Sequence, residues 1–109
     1  METLTHTVNQ LSALAHKVRL AVFRHLMREK GQGVAAGRIA EALGVQPNRL
    51  TGHLNILVQS GLVTVTRSGR HMIYRADVDV TSELVRHLVA TCCDGNPEVC
   101  RTLQDAEAD

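Results

Sequence analysis

The sequence predicts a small, mainly helical α+β domain with about five helices and one two-stranded β-hairpin. Apolar residues recur at helical spacing through most of the chain, and two short neighbouring runs alternate and are rich in β-branched residues. The length of 109 residues suits a single domain, 1–109, with one small core. Only 2% of the residues are aromatic, so Leu, Val, Ile and Ala must build that core.

Four helical patterns occupy the first part of the chain. They span residues 5–15, 17–29, 34–43 and 47–60. In the second pattern Val18, Val22 and Leu26 follow the i, i+4, i+8 spacing of a buried face. Gly44 suits the end of the third helix, and Pro47 suits the first turn of the fourth.

Two extended runs follow, at residues 62–67 and 71–75. The intervening residues 68–70 (Ser-Gly-Arg) supply a turn, so the runs predict a β-hairpin.

A last helix is predicted over residues 80–93, with Asp79 or Thr81 as its N-cap. Its predicted inward face comprises Val85, Leu88, Val89 and Cys92. Residues 94–109 are expected to form a flexible tail.

The charge is divided unevenly along the chain. Residues 1–76 carry ten Lys/Arg against three Asp/Glu, a net charge of +7, whereas residues 77–109 carry two against eight, a net charge of −6. A basic body favours a polyanionic partner such as nucleic acid, although a basic patch can also be a solvated face.

The third and fourth helices, joined by a tight turn, predict a helix-turn-helix over residues 34–60. The hairpin at 62–75 would then be the wing of a winged helix-turn-helix. The second helix of such a motif fits the major groove of DNA. In this chain it places leucines inward and polar residues outward. The candidate DNA-binding residues here are Gln46, Asn48, Arg49, Thr51, Gly52, His53 and Asn55.

These side chains suit different parts of DNA. Asn pairs with adenine, Thr meets a thymine methyl group, and Arg49 and His53 suit the backbone beside the groove. Gly52 lies in mid-helix at a cost of about 1 kcal/mol relative to Ala. It either permits close approach to DNA or is a tolerated substitution. Arg67 and Arg70 on the wing suit phosphates or the minor groove, or simply solubilise the hairpin.

All three cysteines, Cys92, Cys93 and Cys100, lie within nine residues. Three thiolates suit a thiophilic ion, and trivalent arsenic needs only three ligands. Zinc prefers four, so zinc or cadmium would need Asp94, Glu98 or His87 as well.

Two other interpretations of the cysteines stay open. A cysteine on an apolar helix face, as Cys92 is predicted to be, is often a small buried hydrophobe. A redox switch would pair Cys100 with either neighbour, because a bond between adjacent cysteines is strained. The negative end of the helix dipole disfavours a thiolate without a bound cation, which favours ion capture.

Three segments carry a family resemblance: LSALAHKVRLAVFRHL, VAAGRIAEALGVQPNRLTGHLNILVQSGLV and RSGRHMIYR. Over about residues 8–90 the chain resembles the ArsR/SmtB family of small metal-sensing repressors. The resemblance implies a homodimer that leaves its operator DNA when an inducer binds. It also implies that helices 5–15 and 80–93 form the dimer interface. The family commonly has Ser and a basic residue where this chain has Thr51 and Gly52.

The resemblance also bears on the sensor. One family site is a Cys-x-Cys in the helix before the recognition helix, where this chain has no cysteine. Another is an Asp/His set on the last helix, for which Asp77 and His87 are unsuitably spaced. The arrangement of Cys92, Cys93 and Cys100 instead resembles the arsenite-responsive repressors.

The sequence thus predicts a repressor of an arsenic-resistance operon, with arsenite as the inducer and antimonite or methylated arsenite as related ones. No organic cofactor is expected. The expected partners are double-stranded operator DNA and a second copy of the chain. Without a leader or membrane span, the expected location is the cytoplasm.

Three alternatives remain. The same thiols would suit a sensor of cadmium, lead or reactive sulfur, a metalloid carrier, or a thiol enzyme. An enzyme is not expected, since the chain has neither a Cys-x-x-Cys nor a phosphate-type loop before an arginine.

Overall fold

The computed structural model describes residues 2–93, 98 and 101–102, and the side chains of residues 3–89, 98 and 101–102. Its helices are α1 (Glu2–Leu14), α2 (Lys17–Arg28), α3 (Ala36–Leu43), α4 (Pro47–Gln59) and α5 (Val78–Cys93). Its strands are β1 (Val34–Ala35), β2 (Val63–Ser68) and β3 (His71–Ala76). The mainly helical α+β fold class is therefore confirmed.

The core lies where α4 packs against α2, α3 and β2. From α4 it receives Leu50, Leu54 and Leu57, all essentially inaccessible to solvent. Val22 and Leu26 of α2 are equally buried, as their spacing predicts. Each such side chain contributes about 1.5–3 kcal/mol on burial, so this contact holds α4 in a fixed orientation.

The turn between α3 and α4 depends on Gly44. Its backbone is left-handed, with φ 65° and ψ 35°, a conformation that costs glycine little. The N–H groups of Gly44 and Val45 both donate to the carbonyl of Ala40, which closes the end of α3. Pro47 then begins α4, as predicted.

The sheet has three antiparallel strands in the order β1-β3-β2, one strand more than the predicted hairpin. Val34 pairs with Tyr74 of the central strand, and Ala35 pairs with Ile73. The prediction that the third helix starts at residue 34 was therefore wrong by two residues. Spacing along the chain does not reveal that these two residues find a strand partner about forty positions away.

The wing itself is a tight hairpin. Ser68 pairs with His71, so only Gly69 and Arg70 lie in the turn, and Gly69 has a φ of 63°. A two-residue turn of this kind suits the twist of the flanking strands. It presents Arg70 at the tip.

The last helix differs from its prediction in two ways. It begins at Val78, and its N-cap is neither Asp79 nor Thr81, because Oδ1 of Asp77 accepts the hydrogen bond of the Val80 N–H (3.1 Å). Among the side chains of α5 that are described, Leu84 is the one buried in the core, at 4% exposed.

The predicted inward face is not buried in the single chain. Val85 and Leu88 are 40% and 41% exposed, and Val89 is half-buried. The side chain of Cys92 lies outside the described residues. None of the helices in the described ranges combines the length and apolarity that a membrane span requires.

Gly33 gives a test of the contact between β1 and the wing. A Cβ added there would overlap Cγ2 of Ile73 and press on the guanidinium of Arg75. Gly33→Ala should lower the free energy of unfolding by about 1–3 kcal/mol, measured by urea denaturation, because Cγ2 is close to the backbone and cannot move away freely. Gly37→Ala is the control, since a Cβ there meets nothing within 4 Å. Equal stability of the two variants would contradict this packing.

Candidate nucleic-acid interface

The outward face of α4 is polar and open. Six of the predicted DNA-binding residues are exposed: Gln46, Asn48, Arg49, Thr51, Gly52 and Asn55. Gln46 is the N-cap of α4, and its side chain makes no capping hydrogen bond. The buried leucines on the opposite side leave these groups free to meet a ligand. A rigid helix with amide, hydroxyl and guanidinium groups on one side has the chemistry that reads base edges in the major groove.

Two positions on this face are informative. The hydroxyl of Thr51 donates to the carbonyl of Pro47 (3.0 Å), so it would meet a base as an acceptor. At Gly52 an added Cβ would meet nothing within 4 Å. Nothing in the described chain therefore requires a glycine at this position for packing.

Both wing arginines are exposed. Nε of Arg67 donates to the carbonyl of Gly69 (3.2 Å), which fixes the start of its guanidinium close to the turn. Nη1 of Arg75 donates to Oγ1 of Thr66 across the two wing strands (3.0 Å). At the tip of the wing, Arg67 and Arg70 place a cationic group on each side of Gly69. Such an arrangement suits contact with phosphates.

A cluster of four basic residues flanks the polar face of α4. We call His16, Arg19, Arg49 and His53 the basic cluster. The imidazole rings of His16 and His53 lie 4.4 Å apart between centroids, tilted by 39°. Arg19 donates from Nη1 to Nδ1 of His53 (3.4 Å). No sequence pattern links Arg19 to His53, because only folding brings these distant residues together.

Arg19 also joins the cluster to the end of α1. Its Nε donates to the carbonyl of Ala13 (2.6 Å), and its Nη2 to that of Ser12 (3.5 Å). Carbonyls at a helix C-terminus lack partners within the helix, so a cation there is stabilising. Arg19 thus holds α1 and α4 together through one guanidinium.

The surroundings of His53 disfavour its protonated form. Burial lowers the pKa of His53 below its ordinary value of 6.5, and the nearby His16, Arg19 and Arg49 lower it further. A neutral His53 follows near neutral pH.

The predicted metal ligands fall mostly outside the described residues. Cys92 and Cys93 end α5, but their side chains lie outside the described part, and so does Cys100. Among the residues that are described, no group of three or more His, Cys, Asp or Glu side chains is arranged to hold a metal ion. Asp77, whose spacing from His87 does not suit a metal site, caps α5.

Comparisons with known proteins agree with this geometry. Residues 14–66 match a family model described as a helix-turn-helix domain. A comparison with curated protein sequences found no match.

Among solved structures, an ArsR-like transcriptional regulator from Rhodococcus sp. is similar over 97% of both chains, with a TM-score of 0.78 and 24% identity. A second is the homodimeric winged helix-turn-helix DNA-binding domain of a possible ArsR-family regulator from Mycobacterium bovis. It has a TM-score of 0.67 and 25% identity over 87% of this chain and 86% of its own.

A third is a possible transcriptional regulator for arsenical resistance, with a TM-score of 0.66 and 25% identity over 89% of this chain and 95% of its own. The fold is therefore shared with proteins that are described as transcriptional regulators or possible transcriptional regulators.

The lowered pKa of His53 predicts a pH dependence of stability. Below pH 6.5 the unfolded chain binds more protons at this position than the folded chain does, so stability falls as the pH falls through the folded pKa. His53→Gln removes this contribution. The melting temperature should therefore drop less between about pH 7.5 and about pH 5.5 in the variant than in the unaltered protein. An identical drop in both would contradict the burial of a neutral His53.

Proposed function

Because the chain carries a helix-turn-helix domain within a winged-helix fold shared with DNA-binding transcriptional regulators, we propose that it is a cytoplasmic, homodimeric repressor of the ArsR type. In this proposal it controls arsenic-resistance genes and leaves its operator when trivalent arsenic binds Cys92, Cys93 and Cys100. The observation that carries the DNA-binding part is the polar outward face of α4, fixed by its buried leucines.

In the proposed complex α4 lies in the major groove. Asn48, Thr51 and Asn55 read base edges, with the two asparagines suited to adenine. Arg67 and Arg70 on the wing contact phosphates or the adjacent minor groove. Since a protein with two-fold symmetry reads two half-sites, the α4 helices of the dimer would lie about 34–36 Å apart along the DNA.

Exposed apolar residues on α1 and α5 support a dimer. Leu4, Val8 and Leu11 recur along α1 with helical spacing and are 62%, 59% and 39% exposed. Val85 and Leu88 of α5 are also exposed, and α1 packs against α5. Exposed apolar side chains concentrated on two helices that pack together are typical of a protein interface, and the related domain from Mycobacterium bovis is homodimeric.

Two observations support arsenic as the inducer. Three cysteines within nine residues offer three soft donors, which matches the coordination of trivalent arsenic. One structural relative is described as a possible regulator for arsenical resistance. Cys92 and Cys93 end the helix that carries Val85 and Leu88, so an ion bound there would act next to the proposed dimer interface.

Cadmium, lead or a reactive sulfur species is the second candidate inducer, because each reacts with the same thiols. The proposed DNA-binding face is common to all of these sensors, so only the inducer differs between them.

Gly52→Ala distinguishes an effect on stability from an effect on DNA affinity. Alanine should raise the free energy of unfolding by up to about 1 kcal/mol, since a mid-helical glycine is unfavourable and the added Cβ meets open space. If α4 approaches DNA closely, the same variant should bind a duplex selected from a random-sequence pool more weakly. Gly37→Ala is the control, with its Cβ equally free but on α3. Unchanged affinity of Gly52→Ala would show that this position does not approach DNA.

The inducer is tested on the reduced protein by native mass spectrometry with arsenite, with zinc and cadmium competing. We expect a dimer that gains arsenic, and release of the selected duplex when arsenite is added. Cys92→Ser and Cys93→Ser should lose both the arsenic gain and the release of the duplex, because each variant keeps only two of the three thiolates that arsenic needs. Both variants should still bind the duplex.

Release of DNA from either Ser variant by arsenite would overturn the assigned site. If the dimer binds cadmium but not arsenic, or responds only to sulfur oxidants, the proposed repressor function stands and only the proposed inducer is replaced.

A further inference from the structure

The basic cluster contains two histidines whose hydrogen bonds define their tautomers. Nδ1 of His16 accepts from the backbone N–H of Val18 (3.1 Å), which makes His16 the N-cap of α2. Nδ1 of His53 faces Nη1 of Arg19 (3.4 Å). Backbone N–H and guanidinium groups only donate, so each Nδ1 must be an acceptor. The ring proton of each histidine therefore lies on Nε2.

Both Nε2–H groups are available to a ligand. Within the described ranges neither one donates to a protein acceptor, and no side-chain N or O atom is both buried and without a partner. His16 is exposed and His53 is half-buried. The two rings lie 4.4 Å apart, and each Nδ1 is fixed by its own hydrogen bond, to the Val18 N–H or to Arg19. Two neutral donors held in this way form a preorganised site for an anion.

The position of the site indicates which anion. At about 100° per residue, Arg49 and His53 lie on one flank of α4, between its outward polar face and its buried leucines. When a helix occupies the major groove, the groups on its flank meet the sugar-phosphate backbone rather than the bases. The ionisable groups that act on His53 are all bases: His16 from the α1–α2 junction, Arg19 from α2 and Arg49 from α4.

We propose that His16 and His53 form a backbone-phosphate site, donating from their neutral Nε2–H groups to DNA, with Arg19 as the positioning residue that orients His53. This proposal rests on the proposed DNA-binding function and extends the contact surface from α4 to the start of α2. Because Arg19 also binds the end of α1, the phosphate contact is joined directly to a helix of the proposed dimer interface.

Phosphate contacts do not depend on sequence, so the test uses a labelled mixed-sequence duplex and no operator. Affinity is measured by fluorescence anisotropy at about pH 7.5 from about 50 to 200 mM salt. His53→Leu should bind about tenfold more weakly, having lost a hydrogen bond to a charged group. His53→Gln, which can place an N–H near the position of Nε2, should stay within about twofold.

The salt dependence distinguishes a neutral donor from a charge. His53→Leu should leave the slope of log affinity against log salt unchanged, whereas Arg70→Gln should reduce it by about one. His16→Ser keeps a good N-cap for α2 but lacks the Nε2–H, and should also weaken binding with an unchanged slope. Gly37→Ala, on α3 and outside the proposed contact surface, should bind the mixed-sequence duplex normally, since its added Cβ meets nothing within 4 Å. Melting temperatures check that each variant folds.

Three results would overturn the site: unchanged affinity in His53→Leu, equal losses in the Gln and Leu variants, or a salt slope reduced by about one in His53→Leu. Failure of the unaltered protein to bind any duplex would instead overturn the proposed function, so the two failures are distinguishable.

Discussion

Burial of one side of α4 is the interaction on which the rest of this structure depends. Leu50, Leu54 and Leu57 are withdrawn from water by α2, α3 and β2, which sets the rotation of the helix about its axis. With that rotation set, the polar side chains of α4 have only one direction in which to point. A substitution that loosened the leucines would therefore disturb the proposed DNA contacts without changing any of the side chains that make them.

The same constraint explains the position of the basic cluster. His53 sits at the boundary between the buried and the open side of α4, so it is close enough to the α1–α2 junction to meet Arg19 and His16. Partial burial among cations keeps it neutral near neutral pH. A neutral imidazole there preserves the packing of the junction while still offering a donor to an anion.

The dimer and the sensor would extend this arrangement to the ends of the chain. Arg19 binds the last carbonyls of α1, and α1 packs against α5, the helix that ends at Cys93. A continuous path of contacts therefore runs from α5 through α1 and Arg19 to His53 of α4. In the proposed mechanism, an ion bound at the end of α5 acts on DNA affinity through these contacts, and it does so because it binds the DNA-free state more tightly.

Local patterns were enough to predict the helix-turn-helix, its leucine face and the wing, because helical spacing, Gly44 and the β-branched runs are properties of neighbouring residues. Such patterns could not predict contacts between residues that are distant in the sequence. Folding alone placed β1 against Tyr74, turned Leu84 rather than Val85 into the core, and brought Arg19 to His53. The physical reason is that sequence periodicity determines which side of an element is apolar, whereas packing determines what that side meets.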